Sequence, residues 1–303
     1  MLPRGKSAQA KALGIITTIG PDGDLKPGQD IHDITIRSKK DEAKALRFPT
    51  DRFLIVRTAD WKIIPLENLI AARDRIIAEV KNAQEAKLAL EIMEKGADGI
   101  LLRAESPLEI RKTARLLQQG QERFPLVRAK IQDVQALGMG DRVCIDTCTQ
   151  MERGEGVLVG NSSAGMFLVH AENVETPYCA TRPFRVNAGA VHAYLQVPGG
   201  QTRYLADLKS GDPVLIVNAK GRAQVAHVGR CKVERRPLLM VTATYRRKAF
   251  SLILQNAETI RLTQPDGEAV SVARLKKGSE VLAYLEEAGR HFGMKVDETI
   301  TEK

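Results

Sequence analysis

The sequence predicts an α+β protein in two parts. A βα-alternating, partly barrel-like domain occupies residues 1–125, with its first 30 residues atypical. A β-rich, barrel-like domain with a short C-terminal helix occupies residues 126–303. Three observations predict this. Apolar strand-like runs alternate with capped helical segments through residues 53–120. From residue 126 short β-prone runs alternate with Gly, Pro and Asn turn signals. The chain, at 303 residues with 43% hydrophobic and 27% charged content, is long and apolar enough for two ordinary globular cores.

Met1–Ile16 is basic and then briefly apolar, and soon meets Asp22 and Asp24. Its apolar stretch is too short for a secretory signal, and no run in the chain approaches the roughly 20 apolar residues of a membrane span. A cytoplasmic protein is expected. The four cysteines (Cys144, Cys148, Cys179, Cys231) fit neither a zinc ribbon nor a redox pair and are expected as reduced, largely buried thiols.

Phe53–Val56 reads as a short buried strand, and Ile63–Ala72 opens a helix near Pro65 or Glu67. Arg75–Val80 is the next strand. Asn82 and Glu85 have capping-box spacing, and Ala86, Leu90, Met93 and Ala97 recur at helical intervals behind them. Gly96 and Asp98 end that helix before the strand Ile100–Leu102. Ser106 and Glu109 repeat the box with Pro107 at the favoured first position, leading a helix to about Gln119. Parallel βα units gather ligands at the carboxyl ends of their strands, which places Asp60, Trp61, Glu67 and Asn68 at a rim. A first-turn place beside the helix dipole is a sufficient alternative reason for Glu67.

In the second part, Pro198–Gly200, Asn218–Gly221 and Pro265–Gly267 mark turns, and an L-x-x-G-x-x-V pattern recurs at Leu137–Val143, Leu208–Val214 and Leu275–Val281. Tyr284–His291 resembles a short helix ending at Gly293. The net charge of +9 is densest at residues 230–248, where Arg230, Lys232, Arg235, Arg236, Arg246, Arg247 and Lys248 oppose Glu234. The apolar run Leu238–Thr244 puts those cations at the two ends of a strand. They form either a phosphate-contacting rim or, preferably, a solvated edge that resists aggregation. With 4% aromatic residues there are few platforms for stacking bases, and a nucleic-acid partner is not expected.

Residues 165–194 concentrate chemistry: His170, Glu172, Arg182, Arg185, Asn187, His192 and Tyr194. Arginine forks grip carboxylates and histidine moves protons near neutrality, so the segment suits a small acidic substrate; the alternative is a hairpin with its polar side in water. Gly154, Gly156 and Gly160 either admit a cofactor closely or, more commonly, turn the chain into a strand. Asp146, Glu155, His170, Glu172 and His192 are of metal-ligating type, at spacings that match no metal motif. Gln255–Thr259 follows an apolar strand and forms a binding rim or a hydrogen-bonded turn. There is no dinucleotide fingerprint, phosphate loop, H-E-x-x-H or nucleophile elbow.

Together, Asp60–Ala71, Gly140–Cys148, Gly154–Gly160, Arg182–Tyr194, Val233–Leu238 and Leu254–Leu262 resemble type II 3-dehydroquinate synthases from about residue 31 onward. The resemblance implies NAD-dependent oxidative deamination and cyclisation of 2-amino-3,7-dideoxy-D-threo-hept-6-ulosonate to 3-dehydroquinate in aromatic amino-acid biosynthesis. Family members usually carry a longer N-terminal region, so residues 1–30 read as a short replacement. The chemistry needs a cation for the substrate carboxylate (Arg182 or Arg185), a base (His192, then His170 or Glu67) and a donor or ion for developing oxyanions (Asn187, or a divalent metal held by Glu155 and His170, with Asp146 a further ligand). NAD would lie against Gly154, Gly156 and Gly160. The partner is a small-molecule substrate, with no membrane partner, and oligomers are compatible with the reading. One alternative uses the same scaffold, a 3-amino-4-hydroxybenzoate synthase-like cyclisation without NAD. A remote one, suggested by the charge and the barrel-like repeats, is an RNA-associated non-enzymatic β-barrel protein, which leaves the cluster at 165–194 unexplained.

Overall fold

The computed structural model describes residues 19–21, 23–60, 62–93, 95–103, 106–119, 122–286, 290–291 and 294–295. The chain forms two compact units, Met1–Gln118 and Gln119–Lys303, of α+β type taken together. No helix of the described residues is long and apolar enough to cross a membrane.

The first unit is built on four parallel strands in the order β1 (Ile31–Ile36), β2 (Phe53–Thr58), β3 (Ile76–Val80) and β4 (Gly99–Leu102). The connecting helices are α1 (Lys39–Ala45), α2 (Ile63–Ala72), α3 (Ala83–Glu91) and α4 (Pro107–Gln119). Strand side chains alternate between faces. Ile36, Leu54, Val56, Ile76, Ala78 and Val80 pack on Ala45, Leu66, Leu69, Ile70, Ala86 and Ala89 of the helices. The opposite face sets Ile31, Ile55 and Ile77 against Ile19 and Leu25.

Local signals place these helices closely. Asn82 Oδ1 accepts the Glu85 N–H at 2.9 Å, and Glu85 reaches back to the N–H of Lys81, one residue beyond the usual box partner. Ser106 Oγ accepts the Leu108 N–H ahead of α4. Three details differ from expectation. β1 and α1 were not anticipated. α3 stops at Glu91 because Ile92 turns extended and Met93 takes φ 58°, so Met93 and Ala97 lie beyond it. α2 begins at Ile63, which moves Glu67 out of the first turn and removes the helix-dipole rationale for it. Trp61 lies outside the described residues.

The second unit is a twelve-stranded antiparallel sheet. Its strands are β5 (Leu126–Thr147), β6 (Glu155–Ser162), β7 (Gly165–His170), β8 (Arg185–Ala190), β9 (Tyr194–Val197), β10 (Gln201–Tyr204), β11 (Pro213–Asn218), β12 (Ala223–Tyr245), β13 (Lys248–Gln255), β14 (Arg261–Thr263), β15 (Ala269–Ser271) and β16 (Glu280–Leu285). Pairing runs from β6 through β11, β12, β5, β16 and β7 and returns to β6, enclosing a core that includes Val143, Ile145, Val157, Phe167, Val169, Val214, Val241 and Val281. β8 pairs with β5 and β13 with β12 beyond that circuit of pairings, and Val186, Ala188, Leu252 and Leu254 of these two strands join the same core.

Two copies of the L-x-x-G-x-x-V pattern are equivalent in structure. Gly211 (φ 89°) turns the chain into β11 and Gly278 (φ 90°) turns it into β16, each after a single 3₁₀ turn. The copy at Leu137 is different: Gly140 lies inside β5, paired with Arg236. The expected C-terminal helix is also corrected. Tyr284 and Leu285 complete β16, which pairs with both β5 and β7, and Arg290–His291 (β17) pairs with Met294–Lys295 (β18). Sheet pairing on two sides outweighs local helix preference there. Gly293 lies outside the described residues.

Candidate functional site

β5 runs between β8 and β12, and the register aligns their charges in rows. Asp146 sits between Arg185 and Arg230, Cys144 between Asn187 and Lys232, and Arg142 faces Glu234. Val143 and Ile145 point into the core, so Arg142, Cys144 and Asp146 share the other face. That face is closed over as well: all three residues are buried. The cations Arg230, Lys232, Arg235 and Arg236 therefore lie within one long strand, not at the ends of a short one. β12 passes through Pro237 by a register shift between Pro237 and Leu239.

A cleft of about 400 Å³ opens on this face. Arg142, Arg182, Arg185, Lys232 and Arg236 supply positive charge, Glu172 and Glu234 negative charge, and Cys144, Cys179, Asn187, Gln255 and Thr259 complete the lining. Arg185 donates from Nε to Asp146 Oδ1 at 2.6 Å and from Nη2 to Oδ2 at 2.8 Å. Arg230 donates twice more to Oδ2, at 2.9 and 2.6 Å. Burial alone would raise the Asp146 carboxyl, but these arginine bonds outweigh it and hold the group below the usual range.

Arg142 donates to Glu234 at 2.6 Å and to the Cys144 sulfur, while Lys232 and Arg236 approach the other Glu234 oxygen at 3.4 and 3.3 Å. One carboxylate thus serves three cations, which leaves the cleft with surplus positive charge. Burial pushes the Cys144 thiol up to about 11, so it stays protonated and is no nucleophile near neutrality. All four cysteines are free thiols, but Cys148 and Cys179 are exposed rather than buried.

Glu172 is different. Its backbone is fixed by two bonds, Arg182 N–H to its carbonyl at 2.7 Å and its own N–H to Arg185 at 2.8 Å. Its carboxylate lies 3.8 Å from Arg182 with 15% of the side chain exposed, and no described residue hydrogen-bonds it. Burial raises its pKa, and the pull of Arg185, Arg182 and Arg142 only partly offsets that. Asn187 donates from Nδ2 to Gln255 Oε1 at 2.8 Å, and its buried Oδ1 has no partner. It therefore presents an acceptor beside the second Nδ2 hydrogen, which the Gln255 bond leaves over.

The cleft brings together Arg182, Arg185 and Asn187 of the residues picked out by sequence, and excludes others. His192 is exposed in the turn between β8 and β9, away from the lining. His170 is 2% exposed, accepts the Gly154 N–H at Nε2 (2.9 Å) and lies 2.8 Å from the Ala171 carbonyl through Nδ1. Burial lowers its pKa, which keeps the ring neutral as a structural bridge. Glu67 belongs to the first unit.

The glycine run does not form a cofactor cradle. A Cβ on Gly156 would meet the Val169 carbonyl and one on Gly160 the Gly165 carbonyl, so the close approach is that of β7; Gly154 (φ 81°) makes the turn before β6. Nor do the expected metal ligands fit an ion. Asp146 is spent on two arginines, His170 has both nitrogens engaged, and Glu155 accepts the Glu152 N–H. Among the described residues no three His, Cys, Asp or Glu side chains are grouped to hold a metal.

Arg142, Cys144 and Glu234 were not assigned to a site from sequence, and Lys232 and Arg236 were read preferably as a solvated edge. Their signal was present as every-second-residue polarity in 142–146 and 232–234, legible once those runs are known to be adjacent strands. Gln255 and Thr259 line the cleft, and the same segment makes a hydrogen-bonded turn through Ala257 N–H to the Gln255 carbonyl and Ile260 N–H to that of Ala257.

Residues 1–117 match the family model for the 3-dehydroquinate synthase II N-terminal domain, and residues 128–303 that for the 3-dehydroquinate synthase II C-terminal domain. The chain is 55% identical to a 3-dehydroquinate synthase homolog of Aquifex aeolicus, covering 99% of this chain and 91% of that protein. It is 55% identical to a 3-dehydroquinate synthase of Methanospirillum hungatei, over 97% and 89%, and 53% identical to that of Methanoregula boonei, over 98% and 91%. No solved structure matches. The N-terminal match begins at residue 1, so the first 30 residues are not foreign to the family and the expected start near residue 31 is corrected.

Proposed function

The chain belongs to the 3-dehydroquinate synthase II family, and from that premise we propose that it makes 3-dehydroquinate by NAD-dependent oxidative deamination and cyclisation of 2-amino-3,7-dideoxy-D-threo-hept-6-ulosonate. The observation that carries this reading is the cleft itself, where Arg182, Arg185, Lys232 and Arg236 outnumber the carboxylates and a buried amide acceptor stands among them.

Arg182 is the cation for the substrate carboxylate. Its side chain is 45% exposed and tied only loosely to Glu172, so its fork is available for a bidentate grip. Arg185 is the fixed wall beside it, immobilised by Asp146 and adding charge without moving. Asn187 Oδ1 accepts a hydrogen bond from the substrate amine or a hydroxyl, which fixes the distance between the anionic end and the donor-bearing carbons. The surplus positive field favours enolate and alkoxide oxygens over their neutral precursors. NAD supplies the oxidising equivalent by taking a hydride, and no residue is assigned to it.

The test is one incubation of the protein with the aminoheptulosonate and NAD⁺, following NADH absorbance, ammonia and 3-dehydroquinate. All three rising in step is the expected result. No NADH or ammonia, with 3-amino-4-hydroxybenzoate formed from its own precursor in the absence of NAD⁺, would overturn it.

A further inference from the structure

We propose that Glu172 is the proton-transfer residue of the ring-closing step. The inference rests on the function proposed above and assigns a base that the sequence placed elsewhere.

Closure of the ring needs a group that removes a proton from the methyl carbon beside the substrate carbonyl and later returns one. The other carboxylates in and around the cleft, and the histidines picked out by sequence, are committed or lie outside it. Asp146 is bonded by Arg185 and Arg230, and Glu234 serves Arg142, Lys232 and Arg236. His170 is sealed between Gly154 and Ala171, and His192 does not reach the lining. Glu172 lines the cleft, is largely enclosed, and accepts no hydrogen bond from any described residue. A carboxylate saturated with donors is a weak base, whereas one that is desolvated and unbonded holds a proton more tightly. The upward shift of Glu172 is in that direction.

The step balances without any further reactant. The Glu172 carboxylate takes the proton as the C–H bond breaks, and that electron pair becomes the carbon–carbon double bond of the enolate. The enolate carbon then bonds to the ketone carbon. The ketone π pair moves to oxygen, and the Glu172 carboxyl returns its proton to that alkoxide. Arg182 and Arg185, whose backbones hydrogen-bond the carbonyl and the N–H of Glu172, lend their positive field to the negative oxygen at both stages.

The experiment compares wild type, Glu172→Gln and Glu172→Asp in D₂O with the aminoheptulosonate and NAD⁺. It measures NADH, ammonia, 3-dehydroquinate and deuterium at the methyl-derived carbon, with substrate affinity measured by calorimetry. In wild type all products form. Glu172→Gln is expected to bind substrate within about threefold of wild type, to release NADH and ammonia, and to lose about 100-fold or more in both ring closure and deuterium incorporation. Glu172→Asp is expected to recover part of both, with its acid limb shifted toward lower pH. A wild type that makes no product overturns the proposed function. An active wild type with unimpaired exchange and closure in Glu172→Gln overturns only the role of Glu172. So does loss of substrate binding in both variants with equal loss of every product, which is the signature of a merely structural residue.

Discussion

Arg185 lies flat against Asp146 across the β5–β8 pair, with two parallel bonds of 2.6 and 2.8 Å. Only 7% of the Asp146 side chain and 13% of the Arg185 side chain reach solvent. This pair anchors the cleft wall, because the same carboxylate also takes Arg230 from the opposite strand. Asp146→Asn leaves the Arg185 charge enclosed without its counterion. We expect a loss of about 3 kcal/mol in urea denaturation, together with a raised KM as Arg185 loosens.

Acid tests the same carboxylate. The folded pKa of Asp146 is lowered, so its contribution is complete above the unfolded carboxylate value near 4 and disappears as pH falls through the folded value. Glu172 has the opposite sign. Its folded pKa is raised, so its contribution is complete below the unfolded value and is lost as pH rises through the folded one. Thermal melts of wild type and Asp146→Asn are expected to converge as pH drops below about 4. Glu172→Gln is expected to melt no lower than wild type at about pH 7, where the charged form carries the cost of burial. A lower melting temperature for Glu172→Gln at that pH contradicts this assignment.

Arg182 makes one long ion pair and is half exposed, so its removal costs the fold little. Arg182→Ala is expected to raise KM on the order of 10–100-fold with kcat changed far less, and to leave stability within about 0.5 kcal/mol. Steady-state kinetics and a melt on the same preparation check both halves. An unchanged KM would move the carboxylate to Lys232 or Arg236.

Two glycines separate close packing from turn geometry. Gly156→Ala would drive a methyl group into the Val169 carbonyl backbone, forcing β6 and β7 apart, and we expect little folded protein. Gly278→Ala meets no neighbour and bears only the strain of φ 90°, about 1–2 kcal/mol. Equal stability of the two variants by circular dichroism melts would show that β7 does not press on β6 as described.

Much of the architecture was legible because it is local. Asn82 and Ser106 announce their helices by capping, and Gly211 and Gly278 announce strands by the positive φ only glycine tolerates cheaply. Where local signals misled, a long-range partner had prevailed. Tyr284 and Leu285 are strand because β5 and β7 flank them. The chain reads straight through Pro237 because β5 offers a bulged register.

The site was legible in kind and not in membership. The sequence by itself marked Arg182, Arg185 and Asn187 as candidates, since residues of that chemistry fall within six positions on one segment. It also determined the family, whose motifs are contiguous blocks. Only the tertiary structure decided that Arg142, Lys232, Glu234 and Gln255 join them, that His170 is a sealed bridge, and that His192 looks outward. The physical reason is register. A one-residue slip between β5 and β12 would turn Arg142, Cys144 and Asp146 into the core and Val143 and Ile145 into the cleft. What fixes that register is burial of apolar side chains along the whole length of the sheet, a sum over distant residues that no single motif records.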